Sequence, residues 1–193
     1  AGDRSRRPLK MGDGSAYVES LPPREPASAR LLILGSMPGL ASLRAAQYYA
    51  HPRNQFWPTM EALFGVPFAL PYGERVERLN AQGIALWDVL RACERPGSLD
   101  ASIVRGSEQA NDFAGFLDRH PRLQAIALNG GAARDAFHRH ARPLLGRQLD
   151  TVQLIALPST SPANAGLSLE AKRAAWSALR AFVPTIHAST QDA

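Results

Sequence analysis

Leu31-Leu32-Ile33-Leu34 is an unbroken aliphatic run that halts at Gly35-Ser36-Met37-Pro38-Gly39. A short run with no polar alternation reads as a strand buried on both faces, as in a parallel sheet covered by helices. Glycine admits positive φ and proline fixes φ, so the chain has to turn where the run ends. Three further mainly apolar runs follow: Ile84–Val89, with Asp88 near its end; Leu123–Leu128, followed by Asn129-Gly130-Gly131; and Val152–Leu157, followed by Pro158 to Gly166.

Segments with helical spacing lie between the runs. Gln55–Phe64 carries Pro58 in its first turn, where a missing N–H costs little. Glu74–Gln82 is closed by Gly83, and a third helix, capped by Asn111 or Asp112, extends to about Arg119. Ala132–His140 is a fourth. The last is capped by Ser168, with Ala171, Ala174, Ala175, Ala178, Leu179 and Phe182 expected inward and Lys172, Arg173 and Arg180 outward. Glu94–Ser102 reads as a loop. Strands alternating with helices give an α/β fold, a three-layer α/β/α sandwich around a central, mostly parallel four-stranded sheet.

A chain of 193 residues is long enough for one sizeable core and short for two. Residues 1–16 mix Arg, Gly, Asp and Ser without periodicity and read as a flexible basic tail. Residues 17–186 read as one domain and 187–193 as a flexible end. No apolar run approaches the ~20 residues of a membrane span, and there is no signal-peptide pattern. Cys93 is the single cysteine, which excludes an intrachain disulfide and cysteine-built zinc or iron–sulfur sites. The five histidines have no metal-ligand spacing, so neither metal nor cofactor is expected. A cytoplasmic monomer is the simplest expectation. The net charge of +5, mostly from arginine, suits a polyanionic partner without proving one.

In an open parallel sheet, ligands bind where loops leave the carboxyl ends of the strands. Three such ends converge here: the 35–54 loop, Asp88 and the 158–166 loop, with Asn129 a fourth polar group. The 35–54 loop places Tyr48, Tyr49, His51, Arg53 and Asn54 within one strand–loop–helix unit. No phosphate-loop, dinucleotide, nucleophile-elbow or His-Glu-x-x-His pattern is present.

Gly35-Ser36-Met37-Pro38-Gly39, followed by Tyr48-Tyr49-Ala50-His51-Pro52-Arg53-Asn54-Gln55-Phe56-Trp57, resembles the first motif of the uracil-DNA glycosylase superfamily. Leu157-Pro158-Ser159-Thr160-Ser161-Pro162-Ala163-Asn164 resembles the second. Within the superfamily, the Tyr-Tyr-Ala-His-Pro-Arg-Asn run is most similar to the hypoxanthine (deoxyinosine) DNA glycosylase branch. The similarity extends from about Val18 to Phe182 and includes the Glu94-to-Asp100 stretch. It implies a monofunctional enzyme acting on double-stranded DNA, which flips a deaminated base from the duplex and hydrolyses its N-glycosidic bond.

The resemblance also implies roles. Many relatives hold the attacking water with an acid or asparagine in the first turn, where this chain has Met37. In the hypoxanthine branch Asn54 takes over, although an asparagine at this place also suits a helix cap. Tyr49 is expected to stack on the flipped base, or to be a core aromatic. His51 is expected to bond the leaving base or a phosphate, or to be satisfied by backbone. Asp88 is expected to accept from the N1–H of hypoxanthine as a carboxylate, or to bond loop N–H groups. Gly35, Ser36 and Met37 would line the base site, joined by Asn129, for which a helix cap is the other role. Ser159, Thr160, Ser161 and Asn164 would grip DNA phosphates. Pro162, Ala163 and Asn164 offer no bulky wedge. Three alternatives remain at this stage: a uracil or mismatched-thymine glycosylase, a non-catalytic damage-binding module of the same fold, and a nucleoside hydrolase.

Overall fold

The computed structural model describes residues 16–183; the expected tail (all but its last residue) and C-terminal segment lie outside them. The frame is a four-stranded parallel sheet of β2 (Leu31–Gly35), β3 (Ile84–Asp88), β6 (Ala125–Asn129) and β7 (Gln153–Leu157), in the order β3-β2-β6-β7. Every residue of β2, β3 and β6 is buried. Successive side chains point to opposite faces, so both faces are covered, as unalternating aliphatic runs require. The register pairs Gly35 with Asp88 and Asn129 with Leu157. Helices α1 (Leu40–Ala45), α2 (Phe56–Phe64), α3 (Tyr72–Ala81), α4 (Phe113–Arg119), α5 (Gly131–Ala136), α6 (Arg142–Leu145) and α7 (Leu169–Trp176) flank the sheet.

A second sheet was not anticipated. β1 (Tyr17–Glu19), β4 (Leu90–Glu94) and β5 (Gln109–Ala110) pair antiparallel in the order β1-β4-β5. Beyond β3 the chain continues against β2: the Val89 and Leu90 N–H groups donate to Gly35 O at 2.8 Å and Ser36 O at 3.0 Å before β4 departs. The β4–β5 register shifts between Leu90 and Ala92, and Ala92 and Cys93 are both buried. That irregularity breaks the alternation by which a strand is recognised in sequence. The outer edge of β3 is shielded by Arg24, whose backbone pairs with Leu86 in an antiparallel bridge.

α4 and α7 are capped as expected, Asp112 accepting from Gly115 N–H and Ser168 from Ala171 N–H. The face of α7 is corrected. Lys172, Trp176 and Leu179 are buried, whereas Ala171, Ala174, Ala175 and Ala178 are exposed. Lysine's four-carbon stem packs like an apolar residue when its ammonium has a partner. The expected Ala132–His140 helix becomes α5, a π-helical turn over Phe137–Ala141, and then α6.

Candidate active site

Gly35 ends β2 between two strand termini, and its missing side chain makes room for the site. A Cβ there would lie 2.5 Å from Asp88 Oδ1. Around it opens a pocket of about 380 Å³, lined by the 35–42 turn, Tyr48 and Tyr49, His51 to Asn54, Asp88, Ser98 to Asp100, Asn129 and the 160–163 loop. That volume lies within the range of small-molecule pockets and admits a flat heterocycle. The structure therefore brings together nearly every residue singled out in sequence; Ser159 and Asn164 stand just behind the lining.

Tyr48 and Tyr49 divide their tasks. Tyr48 is buried, its hydroxyl donating to Leu21 O at 2.9 Å, so it is the structural ring. Tyr49 takes the left-handed conformation, φ 58°, which is uncommon outside glycine and turns it away from its neighbour. Its ring lies on Phe56, with centroids 3.8 Å apart and planes at 20°. Its hydroxyl is buried with no hydrogen-bond partner. Burial, with Asp88 nearby, holds that hydroxyl protonated well above the usual tyrosine range.

Asp88 is the second orphan. It is 3% exposed, and its Oδ2 is buried without a partner. Burial pushes its carboxyl up to about 8; Asp100 adds to the rise and Arg95 opposes it. The expected carboxylate acceptor is thus corrected: near neutral pH this group is mostly a carboxylic acid, with one O–H to donate and a carbonyl to accept.

Asn54 does what a helix-entry asparagine does. Its Oδ1 accepts from Phe56 N–H at 2.9 Å, leaving Nδ2 without a protein partner among the described residues. His51 Nδ1 accepts from Arg53 N–H at 3.1 Å, so one ring nitrogen serves the loop. Asn129 is turned to the neighbouring loop: Nδ2 donates to Thr160 Oγ1 and Oδ1 accepts from Thr160 N–H, both at 2.9 Å. It is not a helix cap; Gly130, at φ 95°, holds that place.

Thr160 is fully buried, so its side chain braces the loop where a phosphate contact was expected. Ser159 Oγ accepts from Ser161 N–H, and Ser161 Oγ from Ala163 N–H, folding the loop on itself. Asn164 Nδ2 donates to Ser159 O. Three anchors hold this loop from below: Gln55 N–H on Thr160 O at 3.0 Å, Trp176 Nε1 on Pro158 O at 2.9 Å, and Lys172 Nζ on Asn164 O at 2.7 Å.

The loop after β4, given no role from sequence, forms the remaining wall. Ser98 Oγ accepts from Leu40 N–H, and Ser36 Oγ donates to Asp100 Oδ1 at 2.7 Å. Arg95 is 1% exposed, and its guanidinium reaches Met37 O and Pro38 O. These are loop residues whose partners lie some 60 positions away, and no local spacing announces them. Among the described residues no cluster of side chains could hold a metal ion, and no helix is long and apolar enough to cross a membrane.

The family model described as the Uracil DNA glycosylase superfamily matches residues 22–180. The chain is 36% identical over 154 residues to a protein named hypoxanthine DNA glycosylase from Methanosarcina acetivorans, covering 79% of this chain and 90% of the relative. A protein of the same name from Methanosarcina barkeri is 37% identical over 113 residues, 58% of this chain and 70% of that one. The solution NMR structure of a Methanosarcina acetivorans protein provisionally named a uracil DNA glycosylase superposes with a TM-score of 0.71 at 32% identity. It covers 85% of this chain and 96% of that one.

Proposed function

The chain belongs to the uracil DNA glycosylase superfamily and is a DNA glycosylase, and we propose that the base it excises is hypoxanthine, from deoxyinosine in double-stranded DNA. The observation that carries this reading is the pair of orphaned groups, Asp88 and Tyr49, both lining the pocket at the strand ends. Hypoxanthine offers a carbonyl beside a ring N–H. A neutral carboxyl matches both, donating to O6 and accepting from N1–H, which relieves the cost of its own burial. The relatives named for hypoxanthine support this choice over uracil, whose carbonyl and N–H would pair alike but on a smaller ring.

In this reading the extruded base stacks on Tyr49, which Phe56 backs, for ~1–3 kcal/mol. Asn54, its plane fixed by Phe56 N–H, donates from Nδ2 to the attacking water. Ser159 and Ser161 accept loop N–H groups through their oxygens, so both hydroxyl hydrogens remain available to flanking phosphates. His51 keeps Nε2 for a phosphate or the departing base. The chain acts as a monomer in the cytoplasm.

Base release from duplexes carrying hypoxanthine, uracil, or thymine opposite guanine tests the proposal. Hypoxanthine is expected to be released fastest, and Asn54→Ala to slow that release by about 10²–10³-fold with duplex binding intact. Faster release of uracil or thymine would move the enzyme to another substrate, and binding without any release would make it a damage reader.

A further inference from the structure

The turn after β2 lacks the carboxylate that would activate a water. Met37 is buried there, 6% exposed, and a thioether is no base. Asn54 orients a water and cannot take its proton. The pocket nonetheless contains two carboxyls. Asp88 is buried and Asp100 is exposed at its edge. Asp100 begins a short 3₁₀ turn, Asp100–Ser102, on the loop after β4. The Ser36 hydroxyl bonds its Oδ1, leaving Oδ2 without a partner among the described residues. A residue 64 positions along the chain is thus tied to the neighbour of Met37.

We propose that Asp100 is a catalytic carboxylate that takes the proton of the attacking water, filling from a different loop the role Met37 leaves empty. The proposal rests on the glycosylase reading. In the step, the C1′–N9 bond breaks and its electron pair leaves with the purine. The water oxygen bonds C1′, and the water's proton passes to Asp100. The purine takes a proton from the Asp88 carboxyl. Both carboxyls then return to their starting states by exchange with solvent, so atoms and charge balance. Two carboxyls in unlike environments, one buried at a strand end and one on a loop tied to the Ser36 hydroxyl, suit the division of labour that glycoside hydrolysis uses.

Several charged groups face Asp100. Across the pocket are Asp88, His51 and Arg53. Desolvation raises the Asp100 carboxyl above the usual range, against the Ser36 bond and the buried Arg95 behind the turn, which both favour the ionised form. In an adjoining cleft of about 480 Å³, which shares Ser36 and Asp100 with the pocket, are Arg105, Glu108, Asp135, Arg139 and His140. Glu108 approaches His140 at 3.8 Å and Asp135 bonds Arg134, so these carboxylates have partners of their own.

The test is single-turnover release of hypoxanthine from about pH 5 to about pH 9, for wild type, Asp100→Asn and Ser36→Ala, with duplex affinity measured by anisotropy. Asparagine keeps the Ser36 bond and the loop while losing basicity. Asp100→Asn is expected to slow release by about 10²-fold or more and to abolish the acidic limb of the profile, with affinity unchanged. Ser36→Ala is expected to slow release less and to keep that limb. Release by Asp100→Asn within about threefold of wild type, or with the acidic limb intact, would overturn the proposal while leaving the glycosylase reading in place. A wild type that releases no base would overturn both.

Discussion

Asp88 and Asn129 stand at the ends of the two strands that flank β2, on either side of Gly35. Both are buried polar residues, 3% and 8% exposed. Their situations are opposite. Asn129 satisfies both ends of its amide on Thr160, whereas Asp88 leaves Oδ2 unpaired next to a Tyr49 hydroxyl in the same state. A buried polar group without a partner costs the fold free energy, and one with two good partners returns part of it. The paired residue therefore builds the loop, and the unpaired one waits for something to arrive. Burial alone does not separate these two residues; the state of their hydrogen bonds does.

Removing the waiting group should cost activity and not stability. Asp88→Ala is expected to lower kcat/KM for hypoxanthine release by about 10²-fold, the equivalent of one or two buried hydrogen bonds, without lowering Tm. The pH dependence follows from its pKa, about 8 when folded against an ordinary 3.8. A carboxyl raised on folding stabilises fully below the lower value and loses that contribution as pH rises through the upper one. Scanned from pH 3.8 to about 8, the Tm difference should move steadily in favour of the variant. Wild-type release should also fall above about pH 8, where the donated proton is gone, and the variant should lack that basic limb.

The paired residue should behave conversely. Asn129→Ala removes the partners of the Thr160 N–H and hydroxyl and is expected to destabilise the fold by about 1–3 kcal/mol, a drop of several degrees in a thermal melt. DNA affinity should weaken more than the chemical step slows. If Asn129→Ala instead left Tm untouched and abolished base release, the contrast between the two residues would collapse. The smallest effect is expected at the loop's far anchor. Lys172→Met removes a buried ammonium and one bond to Asn164 O while keeping the stem, so stability should change by less than about 1 kcal/mol. Duplex affinity should fall modestly as the 158–164 loop slackens.

Much of this arrangement is legible in the sequence. Mainly apolar runs located all four parallel strands, and turn residues at their ends line the pocket. What escaped has physical causes. β4 bends away through a register shift, so its burial pattern mimics neither strand nor helix. Lys172 was assigned to solvent because charge is usually exposed, and only the Asn164 carbonyl, supplied by tertiary contact, makes its burial tolerable. Asp100 and Arg95 act on residues 57 to 64 positions away, beyond any local period. The protonation of Asp88 was equally hidden, since it comes from the depth of the site and not from the residue type.

The clamp of Arg95 on Met37 O and Pro38 O sets the terms on which DNA must enter. With Ser98 also fastened to the start of α1, the turn has little slack to follow an approaching nucleotide. With the turn held this way, extrusion is expected to draw chiefly on the duplex's own stacking and pairing. A receptor of this kind is expected to sort bases by how loosely the helix already holds them, so a deaminated base in a poor pair should be released faster than the same base in a snug one.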